Sequence, residues 1–231
     1  MKVPRVRRRG KSRIFQANKI GAIGKINMPK SSTPLNGKIK DIIHNHYFTA
    51  PLIEVIYENG EKFLMPAFEG AYVGQIVQYL SKEAKDGNIM KLRDIPLSSH
   101  IYNIETIPND GGKLVRAGGS FAILLEKSDS EAIVQLPSGK IKRINLECKA
   151  IIGNIANGGR VDKPFYKAGN KYYAMKAKGR YWPITAAVAM NAYEHKMGGK
   201  RRSTQHAKKV SAKNSPPGAK VGTIGPKKTG R

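Results

Sequence analysis

The positive charge of this chain is confined to its two ends, and this division limits what each part can fold into. Residues 1–40 hold 12 lysines and arginines and no acidic residue, and residues 164–231 hold 16 and a single acid, Glu194. Residues 41–163 hold 14 basic and 15 acidic residues, which leaves them close to neutral. Stretches of like charge repel themselves and cannot bury, so only the middle of the chain is expected to fold alone.

The excess charge requires a partner that carries many negative charges. A net charge of +26 on 231 residues would make a free globule repel itself. The basic cluster at residues 5–13 has no apolar periodicity, and alone it fits a nuclear-localisation signal as well as a nucleic-acid-binding arm. A second basic segment, residues 196–231, is interleaved with Gly, Ser, Thr and Pro. Two such segments favour nucleic acid, because an extended cationic chain can follow a phosphate backbone.

The middle of the chain consists of short apolar runs separated by turn residues, a pattern typical of small β units. The runs before residue 98 cover 37–44, 51–57, 62–65 and 73–79, and the runs after it cover 101–107, 120–126, 131–136, 140–146 and 148–155. Asn59-Gly60 indicates a hairpin with a two-residue loop. The pattern predicts a mainly β fold, with an OB-like barrel as one candidate for the first set and an SH3-like barrel for the second. A short helix is expected within 164–178.

Motifs for catalysis, metal binding and membrane insertion are missing from the sequence. The carboxylates form no convincing pair and no Ser, Cys or His lies in a nucleophile motif, so we expect no enzyme. His44 and His46 lack a third ligand at a recognisable spacing, so we expect neither a metal nor a cofactor. The single Cys148 cannot form an internal disulfide. No stretch approaches the ~18 apolar residues of a membrane span, which predicts a soluble intracellular protein.

Two features leave alternatives open. The stretch Gly111–Gly119 lacks the Gly-Lys-Ser/Thr ending of a nucleotide-binding loop. Its glycines serve either turns in a β unit or close approach to a phosphate, with Lys113 and Arg116 supplying charge. Trp182, the only tryptophan, either packs on a core or stacks on a base, and packing is favoured because tryptophan is so often buried.

Several ordered motifs resemble those of one known family. They are Gly111–Gly119, Leu136–Lys140, Cys148–Gly153, Gly158–Arg160, Val188–Asn191 with His195, and Pro216–Gly218. On these motifs the chain is similar, nearly end to end, to the universal large-ribosomal-subunit protein 2 family in its archaeal and eukaryotic form. Where that family usually has Arg-Gly before the Val-Ala-Met-Asn motif, this chain has Ala186-Ala187, and Lys196 and Lys200 replace a proline and a glycine that follow the histidine.

The resemblance implies both an architecture and a set of partners. The architecture is a basic N-terminal arm at 1–34, an OB-like barrel at 35–98, an SH3-like barrel at 99–178 and a basic C-terminal extension at 179–231. The implied protein is cytoplasmic, belongs to the large ribosomal subunit, binds its RNA, contacts neighbouring ribosomal proteins and supports assembly and the peptidyl-transferase region. Neither a membrane nor a small-molecule substrate is expected. The alternative is a cationic RNA-binding regulatory or chaperone-like protein outside the ribosome.

The residues predicted to bind RNA are mostly basic and lie in the two ends and the glycine-rich stretch. They are Arg5, Arg7, Arg8, Arg9, Lys11, Arg13, Lys113, Arg116, Lys176, Lys178, Arg180, Trp182, His195, Lys196, Lys200, Arg201, Arg202, Lys208, Lys209, Lys220, Lys227, Lys228 and Arg231. Contacts from such side chains to phosphates position a protein on RNA and read little of its sequence.

Deletion of residues 1–13 tests whether the N-terminal cluster is a binding arm. The truncated chain is expected to keep its folded middle but to enter large subunits poorly, because it loses six predicted phosphate contacts. Circular dichroism reports the fold, and gradient sedimentation of cell extracts reports incorporation. Normal incorporation of the truncated chain would show that the cluster is only a solvated tail.

Overall fold

The computed structural model of the chain describes residues 10–17, 23–185, 189–194 and 199. Residues 23–165 form one compact unit, and the described residues before 18 and after 165 form a second. Ten strands and one α-helix occur in this part of the chain. The strands are β1 (Leu35–Ile43), β2 (Leu52–Tyr57), β3 (Lys62–Pro66), β4 (Ile76–Tyr79), β5 (Ile89–Lys91), β6 (His100–Tyr102), β7 (Ala122–Lys127), β8 (Glu131–Gln135), β9 (Ile141–Asn145) and β10 (Lys149–Ile152); the helix is α1 (Ala168–Ala177), and 3-10 turns lie at Arg13–Phe15 and Gly158–Val161.

All ten strands belong to one sheet with the order β3-β2-β1-β4-β5-β10-β6-β7-β8-β9. Neighbouring strands are antiparallel, except that β4 and β5 are parallel and meet through the single pair Tyr79 and Ile89. Strand β10 follows β9 in the chain, yet it lies in the middle of the sheet between β5 and β6. The last strand of the described residues, β10, is therefore hydrogen-bonded to β5, the last strand before residue 98.

The Asn59-Gly60 prediction of a hairpin is confirmed, although the loop is longer than two residues. The backbone N–H of Tyr57 donates to the carbonyl of Glu61 at 3.0 Å, which encloses Glu58, Asn59 and Gly60. Gly60 has a φ of +81°, the left-handed conformation that a three-residue hairpin loop needs at this position.

Two hydrophobic cores share the central strands β5 and β10. Ile89 and Ile151 belong to the first core, whereas Met90, Ala150 and Ile152 belong to the second. Successive side chains of a strand point to opposite faces, so one strand pair can supply both cores. All four residues of β10 are buried, as expected for a strand covered on both faces.

Each core also draws residues from both sides of residue 98. The first contains Tyr102 and Ile155 beside Ile39 and Tyr79, and the second contains Leu92 beside its later strands. The domain limits 35–98 and 99–178 stay predictions. No helix in the described residues is long and apolar enough to cross a membrane.

The mainly β fold is confirmed, and the expected short helix lies within 164–178. The sequence pattern missed β5, which is only three residues long and has no apolar alternation. The runs 101–107 and 148–155 form strands only at β6 and β10, because the backbone turns at their ends. Asn103 has a φ of +47° and Gly153 a φ of +110°, conformations that do not continue a strand.

Replacement of Ile151 by alanine tests the dependence of the fold on the shared strands. Ile151 is 1% exposed, so Ile151→Ala is expected to lower the free energy of unfolding by about 2–4 kcal/mol, because it leaves a cavity. Ile76→Ala is the matched control, since Ile76 is a strand residue that is 66% exposed, and less than ~1 kcal/mol is expected. Urea denaturation measures the free energy of unfolding of both variants, and equal losses would contradict the burial of β10.

Candidate nucleic-acid interface

The glycines of the loop at 111–119 allow close packing within the protein. A Cβ atom on Gly112 would lie 2.4 Å from the carbonyl oxygen of Asn103, and one on Gly119 would lie 2.2 Å from the Cα atom of Gly158. Both glycines have positive φ angles, +78° and +71°. The loop therefore requires glycine for steric and conformational reasons that involve no ligand.

The backbone amides at the start of this loop donate to carboxylates of the same chain. The N–H of Gly111 donates to Glu105 Oε1 at 3.2 Å, and the N–H of Gly112 donates to Asp110 Oδ1 at 3.0 Å. Amides that are already bonded do not form the open concavity that captures an anion. The turn and packing role is thus the one that these contacts support.

The guanidinium of Arg116 is half-buried and donates hydrogen bonds to the same loop. Its Nε donates to Asn103 Oδ1 at 2.9 Å, and its Nη2 donates to the carbonyl oxygens of Gly111, at 3.2 Å, and Gly112. Burial lowers the pKa of Arg116, and the charge of Asp110 opposes this shift. Arg116 therefore has an internal structural role, and its contact with RNA stays a prediction. Lys113 remains exposed, with its ammonium 3.4 Å from Asp110 Oδ2.

Sequence reasoning missed a buried polar cluster behind the loop. The carboxylate of Glu105 is fully buried and accepts backbone N–H bonds from Asn109, Gly111 and Lys149 at 3.0–3.2 Å. The ammonium of Lys149 donates to Tyr79 Oη and Asn109 Oδ1, each at 2.6 Å. Burial lowers the pKa of Lys149, whereas the charge of Glu105 raises it. Single charged residues inside strand-like runs give no sequence signal of such a cluster.

The second unit exposes aromatic rings and basic side chains together. No residue of α1 is buried, Tyr166 just before the helix is 87% exposed, and Tyr173 is 67% exposed. The rings of Tyr172 and Tyr173 meet edge to face at 5.4 Å, and the ammonium of Lys176 lies 6.0 Å from the Tyr172 ring centroid. A helix without a buried face bridges other parts of a structure, is stabilised by many side-chain pairs along its length, or is not stable alone. These tyrosines were not predicted as site residues.

The N-terminal segment packs against the end of this helix. Gly179 has a φ of +62°, and a Cβ atom there would lie 2.7 Å from the backbone nitrogen of Ala17. The rings of Phe15 and Tyr181 also meet, with centroids 6.2 Å apart. These contacts bring the predicted residues Lys11 and Arg13 into one unit with Lys176, Lys178, Arg180 and Trp182; the five basic side chains are exposed.

Trp182 is half-buried, and the ammonium of Lys171 lies 5.5 Å from the centroid of its ring. A cation at this distance is held by the negative face of the aromatic ring. The structure thus gives Trp182 a partner on the helix without enclosing it in a core.

The remaining predicted RNA-binding residues lie outside the described residues. They are Arg5, Arg7, Arg8, Arg9, His195, Lys196, Lys200, Arg201, Arg202, Lys208, Lys209, Lys220, Lys227, Lys228 and Arg231, together with Ala186 and Ala187 of the departing motif. Their roles stay predictions.

The surroundings of two histidines and the cysteine bear on metal binding and thiol reactivity. His44 is exposed, and the ring of His46 stacks on Tyr47 with centroids 4.6 Å apart. Within the described ranges no three His, Cys, Asp or Glu side chains are grouped as a metal site. Cys148 is fully buried, and burial raises the pKa of its thiol to about 11.

Comparison with known proteins relates these features to one family. A family model for the C-terminal domain of ribosomal proteins L2 matches residues 85–218. The chain is 46% identical to large ribosomal subunit protein uL2 of Nanoarchaeum equitans, over 98% of this chain and 96% of that protein. It is also 46% identical to uL2 of Methanocaldococcus jannaschii, over 98% and 91%, and 44% identical to uL2 of Natronomonas pharaonis, over 87% and 84%.

Replacement of Arg116 by lysine separates its internal role from its charge. Arg116→Lys keeps the charge but loses the planar fork that reaches Asn103 and the two glycine carbonyls, so the free energy of unfolding is expected to fall by about 1–3 kcal/mol. Arg143→Lys is the control, because Arg143 is exposed and forms no ion pair with the described residues. Chemical denaturation measures the free energy of unfolding of both variants. Unchanged stability of Arg116→Lys would contradict the internal role.

Proposed function

Because this chain belongs to the ribosomal protein L2 family, we propose that it is a structural constituent of the large ribosomal subunit. The observation that carries the proposal is the 46% identity, over nearly the whole chain, to proteins named large ribosomal subunit protein uL2. The similarity includes both basic ends as well as the β unit. The proposed role is structural rather than catalytic.

Ribosomal RNA is the proposed ligand, and the second unit supports this assignment. Residues 164–193 contain no acidic side chain, while they carry Lys167, Lys171, Lys176, Lys178 and Arg180. Exposed tyrosines lie among these cations on α1 and before it. Cations bind phosphates and aromatic rings stack on unpaired bases, which is the combination that single-stranded RNA requires.

The near-neutral unit at 23–165 supplies a rigid body for this interaction. Its two packed cores and its internally bonded loop require no ligand for their contacts. The charged ends then neutralise phosphates that the β unit does not reach. In this proposal the barrels lie on folded RNA and the arms extend between its helices.

The proposal extends to finer roles that rest on the resemblance of the motifs. Val188–Asn191 and His195 resemble the family's most distinctive loop, and we assign this chain a share in the architecture around the peptidyl-transferase region. Assembly of the subunit, association of the subunits, contact with neighbouring ribosomal proteins and a cytoplasmic location belong to the same proposal. The full-length similarity does not favour a regulatory or chaperone-like protein outside the ribosome.

Sedimentation of the tagged protein tests the proposal. The chain is expected in stoichiometric amounts in purified large subunits after a wash with moderate salt. Binding of the purified chain to large-subunit RNA is expected to weaken by about 10³-fold or more between 50 and 200 mM salt, because many phosphates are neutralised. Recovery only in free ribonucleoprotein or lipid fractions, or binding that does not change with salt, would overturn the proposal.

A further inference from the structure

Strands β6 to β9 form a sheet region with one face in the second core and an outer face that is partly exposed. His100 pairs with Ile123, Ile123 with Gln135, and Gln135 with Ile141, so one row of side chains crosses four strands. The alternate residues of these strands, such as Ala122 and Leu124, are buried in the second core. Neighbouring strands lie about 4.8 Å apart, so this row spans roughly 14 Å. We call it the outer row.

An aromatic pair lies at one end of the outer row. The imidazole of His100 stacks on the ring of Phe121 with centroids 4.1 Å apart and planes inclined by 16°. Nδ1 of His100 lies 2.9 Å from Oδ1 of Asn154, within hydrogen-bond distance, which fixes the orientation of the ring. His100 is exposed, so a rigid, planar surface is available to a ligand.

Three cations lie at the other end of the row, on β9 and just before it. Lys140, Lys142 and Arg143 are exposed and take part in no ion pair with the described residues. Arg143 shares the face of Ile141, which is 63% exposed, whereas the two lysines lie on the opposite side of β9. Because β9 is the last strand of the sheet, all three side chains line the same edge.

The acids of these strands lie outside the outer row, toward the turn between β7 and β8. Glu131 begins β8 and pairs with Asn145, and Glu126 pairs with Ile133, which also pairs with Arg143, so that carboxylate shares the register of Arg143 two strands away. The row is thus bordered by positive charge at the edge and by an aromatic pair inside. An acidic protein segment would pair with the cations but would leave the parallel rings unused, whereas unpaired nucleotides use both features.

We propose that the outer row binds a short unpaired segment of RNA, with a base stacked on His100 and phosphates on Lys140, Lys142 and Arg143. This inference rests on the proposed function, since it names where the β unit itself contacts RNA. It adds a second binding surface to the charged ends. Stacking tolerates any base, so the surface recognises single-stranded character rather than sequence.

The test compares two triple variants of the full chain for binding to an oligouridylate of about 12 nucleotides and to a duplex RNA. Lys140→Ala/Lys142→Ala/Arg143→Ala is expected to weaken oligouridylate binding about tenfold and to lower the salt slope by about 2. Lys62→Ala/Lys82→Ala/Lys163→Ala is the matched control, since these exposed lysines of the β unit also form no ion pair in the described structure. The control is expected to bind within about twofold of the parent chain.

His100→Ala addresses the stacking contact without a change of formal charge. It is expected to weaken oligouridylate binding about fivefold or more and to leave duplex binding unchanged, because a duplex offers no unpaired base. Ultraviolet cross-linking of the parent chain to the oligouridylate, followed by mass spectrometry, is expected to label His100 or Phe121. The label reports this surface even when the charged ends dominate the affinity.

The outcomes separate failure of this inference from failure of the proposed function. If both triple variants lose affinity equally and no cross-link falls on the outer row, the inference is overturned while RNA binding stands. If the parent chain binds neither RNA, the proposed function itself fails. If the first triple variant loses binding to a polyglutamate peptide but keeps its binding to the oligouridylate, the surface takes an acidic protein segment and the inference is wrong.

Discussion

The hydrogen-bonded pair of β5 and β10 is the interaction on which the β unit depends. Ile89 and Ile151 face one core while Met90 and Ala150 face the other, so a single pair of short strands contributes side chains to both cores. The one charged residue of β10, Lys149, is buried with hydrogen bonds from its ammonium to Tyr79 and Asn109. A strand that is buried on both faces does not tolerate a register shift, because a slip of one residue would exchange the two faces. The two halves of the sheet therefore cannot be packed independently of each other.

Hydrogen bonds with two charged side chains stabilise the glycine-rich loop. Glu105 and Arg116 both bind the loop backbone, one as an acceptor and the other as a donor. Their charges are partly or fully removed from water, and the many hydrogen bonds offset that cost. Arg116, which is predicted to bind RNA, thus also holds the loop together. The distinction matters because loss of such a residue would reduce RNA binding through misfolding as well as through lost contacts.

In the proposed interaction with RNA, the surface divides into parts that present different side chains. The second unit combines exposed tyrosines with a helix that is free of acids, and the β unit adds the outer row with its aromatic pair and its basic edge. Since the β unit is close to neutral as a whole, its own folding meets little electrostatic repulsion. The charge that binds the polyanion is placed where it does not oppose the packing of the cores. This arrangement suits a protein that enters a large RNA assembly as a folded body with charged ends.

The sequence by itself determined the class of the fold, the class of partner and the division of charge, because strand-length apolar runs and the sign of side chains are local properties. It predicted most of the strands and the short helix within 164–178. Only the tertiary structure decided that β5 exists and joins β10, that Arg116 is turned inward to Asn103, and that Phe15 lies against Tyr181. These features depend on contacts between residues far apart in the chain. Neither periodicity nor spacing records which distant residues meet, so charge alone could not show that Arg116 bonds to Asn103 and to the carbonyls of the glycine-rich loop.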